Sequence, residues 1–134
     1  MNLSLATCFV QVADPDAALT FYRDALGLEV RNDGRQGEFS WTTVGSPDQP
    51  DVGIVLTNHV NGSPEDVDQV RRLVAKGALG GLHLSSPDLE AAFRRLCEHG
   101  AEIVSEPANQ PWGSRDCAVR DPAGNLVRIY QAEA

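Results

Sequence analysis

The chain repeats itself once. Pro15, Phe21, Gly27, Glu29 and Val30 are echoed in order by Pro87, Phe93, Gly100, Glu102 and Ile103, and the turn VGSPD is echoed by VRDPA. The separation is roughly 72 to 75 residues throughout, which is the mark of one structural unit used twice. With 134 residues, 42% of them hydrophobic, the chain can bury one proper core and little more, so one compact unit is expected.

Each copy reads as βαβββ. In the first, residues 5–12 alternate Cys8, Val10 and Val12 with Thr7, Phe9 and Gln11, a strand with one apolar and one mixed face. Asp14 can cap a helix that opens with Pro15 and places Ala18, Phe21, Tyr22, Ala25 and Leu26 on one side before Gly27 ends it. Strands are expected at 28–32, 38–44 and 52–57, separated by the turn-rich pieces DGRQG and GSPDQPD. The second copy starts at Gly80 with GGLHLSS, and its helix carries Leu89, Ala92, Phe93, Leu96 and Cys97 before Gly100. The expectation is an α+β fold in one domain, with βαβββ modules at 1–57 and 80–134. The connector, 58–79, holds a short helix with a Ser63/Asp66 capping box and a Val67, Val70, Val74 stripe. It either links the modules or closes over them as a lid.

Composition removes several function classes. A formal net charge of -8, with arginines scattered rather than gathered in a stripe, opposes nucleic acid and anionic membranes as partners. Cys8, Cys97 and Cys117 have no CxxC spacing and an odd count, which suggests neither a disulfide framework nor a zinc site and suits a reducing cytoplasm. The cysteines fall in the core pattern and are expected to be buried and structural. The opening MNLSLATCFVQVAD has no basic leader, and no apolar run approaches the roughly 18 residues that span a bilayer. A cytoplasmic location is expected.

Two stretches, VQVADPDAALTFYRDALGLEV and DPAGNLVRIYQ, resemble the glyoxalase, bleomycin-resistance and extradiol dioxygenase superfamily, also called the vicinal oxygen chelate superfamily. The resemblance covers the chain apart from the connector. It implies two βαβββ modules forming a curved mixed sheet, helices on the outer face, a concave cup that holds a metal or a ligand, and completion in a homodimer. Chemistry varies widely on such a fold, so the function must come from the cup.

Strand alternation assigns the cup face. It collects Thr7, Phe9, Gln11, Phe39, Trp41, Thr43, Gly53, Val55, Thr57, Gly81, His83, Ser85, Asp116, Ala118, Leu126, Arg128 and Tyr130. Metal-using members of the family carry His, Gln or Glu at four strand positions, because a divalent cation needs convergent nitrogen and oxygen donors. Here those positions hold Thr7, Gly53 or Val55 depending on register, Gly81 and Arg128. None is a ligand, and Arg128 sets a permanent positive charge where the family places a carboxylate. No metal and no other cofactor is expected. Arg128 either pairs with Asp116 on the neighbouring strand or meets an anionic or carbonyl-rich ligand, and the two are compatible.

His83 faces the cup two residues past a ligand position. It reads first as a structural histidine, with a hydrogen-bonding group or a base as the sharper alternative, and no catalytic residue is assigned. His59 and His99 read as ordinary surface groups. The aromatic residues Phe9, Phe39, Trp41 and Tyr130 share the face, and Trp112 precedes a cup strand in NQPWGS. Rings of about 150 to 250 Å² each on an uncovered face call for a dimer partner, the connector or a flat ligand to cover them. The bleomycin-resistance branch resembles the last case. The expectation is a metal-free protein that sequesters an aromatic antibiotic or natural product, with Phe9, Gln11, Phe39, Trp41, Val55, His83, Trp112, Asp116, Arg128 and Tyr130 lining the site. The alternatives are a metal-independent isomerase, lyase or cyclase using His83, Arg128 or Tyr130, a glyoxalase- or dioxygenase-like metal enzyme with ligands elsewhere, or an accessory subunit.

Overall fold

A computed structural model describes residues 2–133. Its elements run β1 (Thr7–Gln11), α1 (Pro15–Leu19, continued by a π-helical stretch Thr20–Ala25), β2 (Glu29–Gln36), β3 (Phe39–Gly45) and β4 (Gly53–Thr57). After α2 (Pro64–Ala75) the order recurs as β5 (Leu82–Ser86), α3 (Leu89–Glu98), β6 (Glu102–Asn109), β7 (Arg115–Arg120) and β8 (Leu126–Gln131). Each βαβββ set forms a mixed four-stranded sheet, ordered β1-β4-β3-β2 and β5-β8-β7-β6. In each sheet the first and last strands pair in parallel, and the other neighbours are antiparallel. The fold is α+β. Among the described residues no helix is long and apolar enough to cross a membrane.

Local chemistry explains the elements. Asp14 Oδ1 accepts from the backbone N–H of Asp16 and Ala17, and Pro15 occupies the first turn, where a missing N–H costs nothing. The helix then widens: Leu26 N donates to Phe21 O across five residues, and Phe21, Tyr22 and Ala25 all remain buried. Ser63 and Asp66 form the reciprocal capping box at the start of α2. Asp88 caps α3 through Ala91 N.

The two modules share one core. Ile54 and Leu56 from the first sheet, Val12 just past β1, and Cys117, Val119, Val127 and Ile129 from the second sheet join Phe21, Tyr22, Leu89 and Leu96 in a single buried cluster, with Cys8, Val10, Leu82 and Leu84 packed against it. This is the apolar strand parity brought together on the helix side. Polar staples fasten the halves. Tyr22 OH donates to Asp121 Oδ2 at 2.7 Å, Asn125 Nδ2 to Gln11 O at 2.6 Å, and Arg95 Nε to Asp24 O at 2.9 Å.

Two local expectations are corrected. The piece DGRQG is mostly strand: β2 runs on to Gln36, and only Gly37 and Glu38 turn. Asp33 pairs in register with Thr42, whose Oγ1 donates to it at 2.7 Å, and Arg35 pairs with Asp33 and Asp16, so side-chain contacts outweigh the local turn propensity. Cys97 is exposed at the end of α3, where Leu89 and Leu96 supply the fully buried positions. The connector helix braces a turn. A Cβ at Gly124, where φ is +115°, would stand 2.5 Å from the carbonyl oxygens of Val74 and Ala75, so α2 seats directly on the β7–β8 turn. Val74 is its buried residue.

Candidate binding site on the open sheet faces

Opposite the core, each sheet presents its other strand face in registered rows. On the first sheet one row reads Phe9, Val55, Thr43, Asn32, and the next reads Gln11, Thr57, Trp41, Gly34. Gly34 makes room for Trp41: a Cβ there would collide with the indole, so the ring lies flat across β2. Phe9 is 70% exposed, Phe39 42% and Trp41 39%, although Val55 and Thr57 between them are buried. Phe39 meets the His59 ring edge-on at 5.0 Å between centroids, and Gln11 Nε2 donates to His59 O at 2.9 Å. The start of the connector thus holds one corner of this face.

The second sheet is polar. Its rows are His83, Arg128, Ala118, Ser105 and Ser85, Tyr130, Asp116, Ala108. Asp116 is fully buried, while Arg128 keeps 24% of its side chain exposed and donates from Nη1 to Asp116 Oδ1 at 2.9 Å. Gln110 Nε2 and Ser114 Oγ also donate to that carboxylate, at 3.0 and 3.2 Å. A buried carboxylate with three donors is well compensated. Beside it, Tyr130 OH and His83 Nδ1 lie 3.1 Å apart with their rings inclined at 62°. Trp112 projects from the Gln110–Ser114 loop, 69% exposed.

The register decides which residue matches Arg128 in the first module. Val55 lies between Phe9 and Thr43 as Arg128 lies between His83 and Ala118, so Val55 rather than Gly53 takes that place. The positions at which the family holds a metal are then Thr7, Val55, Gly81 and Arg128, a set with no carboxylate, imidazole or thiolate. Among the described residues no three His, Cys, Asp or Glu side chains gather where they could hold an ion. The donor set does not fit a divalent cation.

Sequence reasoning groups the expected residues on a single cup face, and the structure divides them between two sheets. Phe9, Trp41 and Val55 form an apolar field on one sheet; His83, Arg128 and Tyr130 form a polar one on the other. Asp116 is buried and connects to the open face through Arg128. Gly34, Gln110 and Ser114 are supporting residues that parity alone does not find. Gln110 and Ser114 flank Trp112 in the loop NQPWGS, and that polar loop ahead of a buried aspartate was the available signal. Cys117 lies below this face, its thiol pushed up to about 11 by burial and by the charge of Asp116, which keeps it protonated and inert.

Comparison with known proteins places this arrangement. Residues 4–129 match the model of the Glyoxalase/Bleomycin resistance protein/Dioxygenase superfamily. The chain is 33% identical over 132 residues to the protein YurT of Bacillus subtilis, covering 98% of this chain and 99% of that one. It is 25% identical over 128 residues to a probable lactoylglutathione lyase of Synechocystis, covering 93% and 92%. Among solved structures, UcmS2 superposes with a TM-score of 0.87 at 34% identity, covering 98% of this chain and all of that one. TnmS3, an antibiotic binding protein from Streptomyces sp. CB03234, superposes with a TM-score of 0.75 at 28% identity, with 99% of each chain covered. The match over nearly the whole length, with both βαβββ modules included, makes this chain a member of the glyoxalase/bleomycin resistance protein/dioxygenase superfamily.

Proposed function

We propose that the protein captures a planar aromatic small molecule, an antibiotic or related natural product, and withholds it from its target without a metal. One observation carries this reading: the family's metal positions hold Thr7, Val55, Gly81 and Arg128, while Phe9 and Trp41 stand exposed on the same open face as Val55. A flat ligand covers such rings at a gain that a lone hydrogen bond cannot match. The similarity to TnmS3 supports the same class of ligand. The free edges of β1 and β5 and the exposed rings favour a homodimer in which the faces of two copies close a pair of symmetry-related grooves. The three free cysteines suit a cytoplasmic setting.

The test compares two substitutions in a titration with polycyclic aromatic antibiotics, read by tryptophan quenching with chromatography of the recovered ligand. Trp41→Ala should weaken binding by about 1 to 3 kcal/mol through lost burial and stacking, and His83→Ala by nearer about 1 kcal/mol. Unchanged affinity in Trp41→Ala, with ligand conversion that vanishes in His83→Ala, would reject sequestration. The second reading, a metal-independent lyase or isomerase, is favoured by the hydrogen-bonded His83 and Tyr130 next to Arg128, and by the similarity to a probable lyase.

A further inference from the structure

Arg128 spends only part of its hydrogen-bonding capacity on the fold. Its Nη1 donates to Asp116, and among the described residues Nε and Nη2 take no partner. Those two nitrogens form the planar fork that donates side-on to a pair of lone pairs. The guanidinium cannot turn freely. Asp116 is buried and is itself held by Gln110 and Ser114, so the fork is fixed in direction by a network behind it. In the same row, the side chain opposite Arg128 on β7 is the methyl of Ala118, which leaves that flank of the fork uncrowded. On the other flank stands His83, its Nδ1 engaged by Tyr130.

Charge decides what such a fork prefers. Arg128 and Asp116 form a neutral pair, and the chain as a whole carries -8. A ligand carboxylate would meet the guanidinium but also the Asp116 charge directly behind it, and it would surrender its own hydration. A neutral carbonyl oxygen takes the same N–H donors without the repulsion and with far less hydration to lose. We infer that Arg128 is the specificity-determining residue of the site, donating from its free Nε and Nη2 to carbonyl oxygens on a neutral planar aromatic ligand. The inference rests on the proposed binding function and adds the ligand's chemical class to it.

Three shape-matched probes separate the terms: 2-acetylanthracene, 2-isopropylanthracene and anthracene-2-carboxylate, titrated against the full chain by ring fluorescence. The ketone should bind about tenfold more tightly than the hydrocarbon and no more weakly than the carboxylate. The double variant Asp116→Asn/Arg128→Met removes both charges together and should bind ketone and hydrocarbon alike. Arg128→Lys keeps the charge without the fork and should lose most of the preference, which carries the test if the double variant does not fold. Equal wild-type affinity for ketone and hydrocarbon, or a preference that survives in these variants, overturns the inference while leaving aromatic capture standing. Tighter binding of the carboxylate overturns the choice of a neutral ligand. Failure of all three probes to bind overturns the aromatic-capture reading and this inference with it.

Discussion

Replacing Tyr22 by phenylalanine removes one oxygen atom from the seam between the two modules. The hydroxyl donates to Asp121 Oδ2 at 2.7 Å, from a ring with no exposed surface to a carboxylate that is only 4% exposed. A hydrogen bond to a charged acceptor is worth about 1.5 to 3 kcal/mol. Asp121 is not stranded by the change, because Oδ2 keeps Asn125 Nδ2 at 2.9 Å and Oδ1 keeps the backbone N–H groups of Ala123, Gly124 and Asn125. The expected loss is therefore about 2 kcal/mol, against about 3 to 5 kcal/mol for Tyr22→Ala, which also empties the ring's site.

The same contact has an alkaline signature. Burial, then the charge of Asp121, then the hydrogen bond to it hold the Tyr22 hydroxyl protonated well above the ordinary tyrosine range. Its folded-state pKa lies above the unfolded one, so its stabilisation is complete below about pH 10 and is lost as pH rises beyond it. Cys117 acts with the same sign, its thiol raised from 9.0 to about 11, but it is present in both proteins and cancels in their difference. Urea unfolding at pH 7 and pH 10.5 should show Tyr22→Phe weaker at neutral pH, with the gap narrowing at the higher pH. A neutral-pH loss under about 0.5 kcal/mol, or a gap unchanged by pH, would refute the reasoning.

Two further outcomes follow from the site and its surroundings. Protein dialysed against zinc, nickel, manganese or iron(II) and then against buffer should retain no stoichiometric metal by elemental analysis, since Thr7, Val55, Gly81 and Arg128 offer no ligand set; about one ion per chain would revive a metal enzyme. A thiol reagent at neutral pH should modify the exposed Cys97 first and Cys117 only on unfolding, and mass mapping that finds Cys117 labelled in the native protein would contradict its burial.

The fold was legible where periodicity carried it. Parity along 5–12 and 126–130 separates the residues now found in the core cluster from those on the open faces, and the repeat gives the two βαβββ modules. What failed was local propensity against tertiary pairing: Gly34 reads as a turn residue, yet it sits in mid-strand because Trp41 lies across it. Long-range partners left no mark either. Tyr22 and Asp121 are 99 positions apart, and neither residue's neighbours reveal the other. In the site, parity places Asp116 and Arg128 on one face but cannot say that one is buried and the other reaches out, because that depends on Gln110 and Ser114 folding back over the carboxylate.

Native mass spectrometry of the protein after incubation with a polycyclic aromatic antibiotic tests the account most directly, since it reports stoichiometry and chemical fate together. The expected species is a homodimer carrying two ligands, one per groove, each released on denaturation at its original mass. A monomer that binds nothing, or ligand recovered with altered mass in amounts exceeding the protein, would contradict metal-free capture.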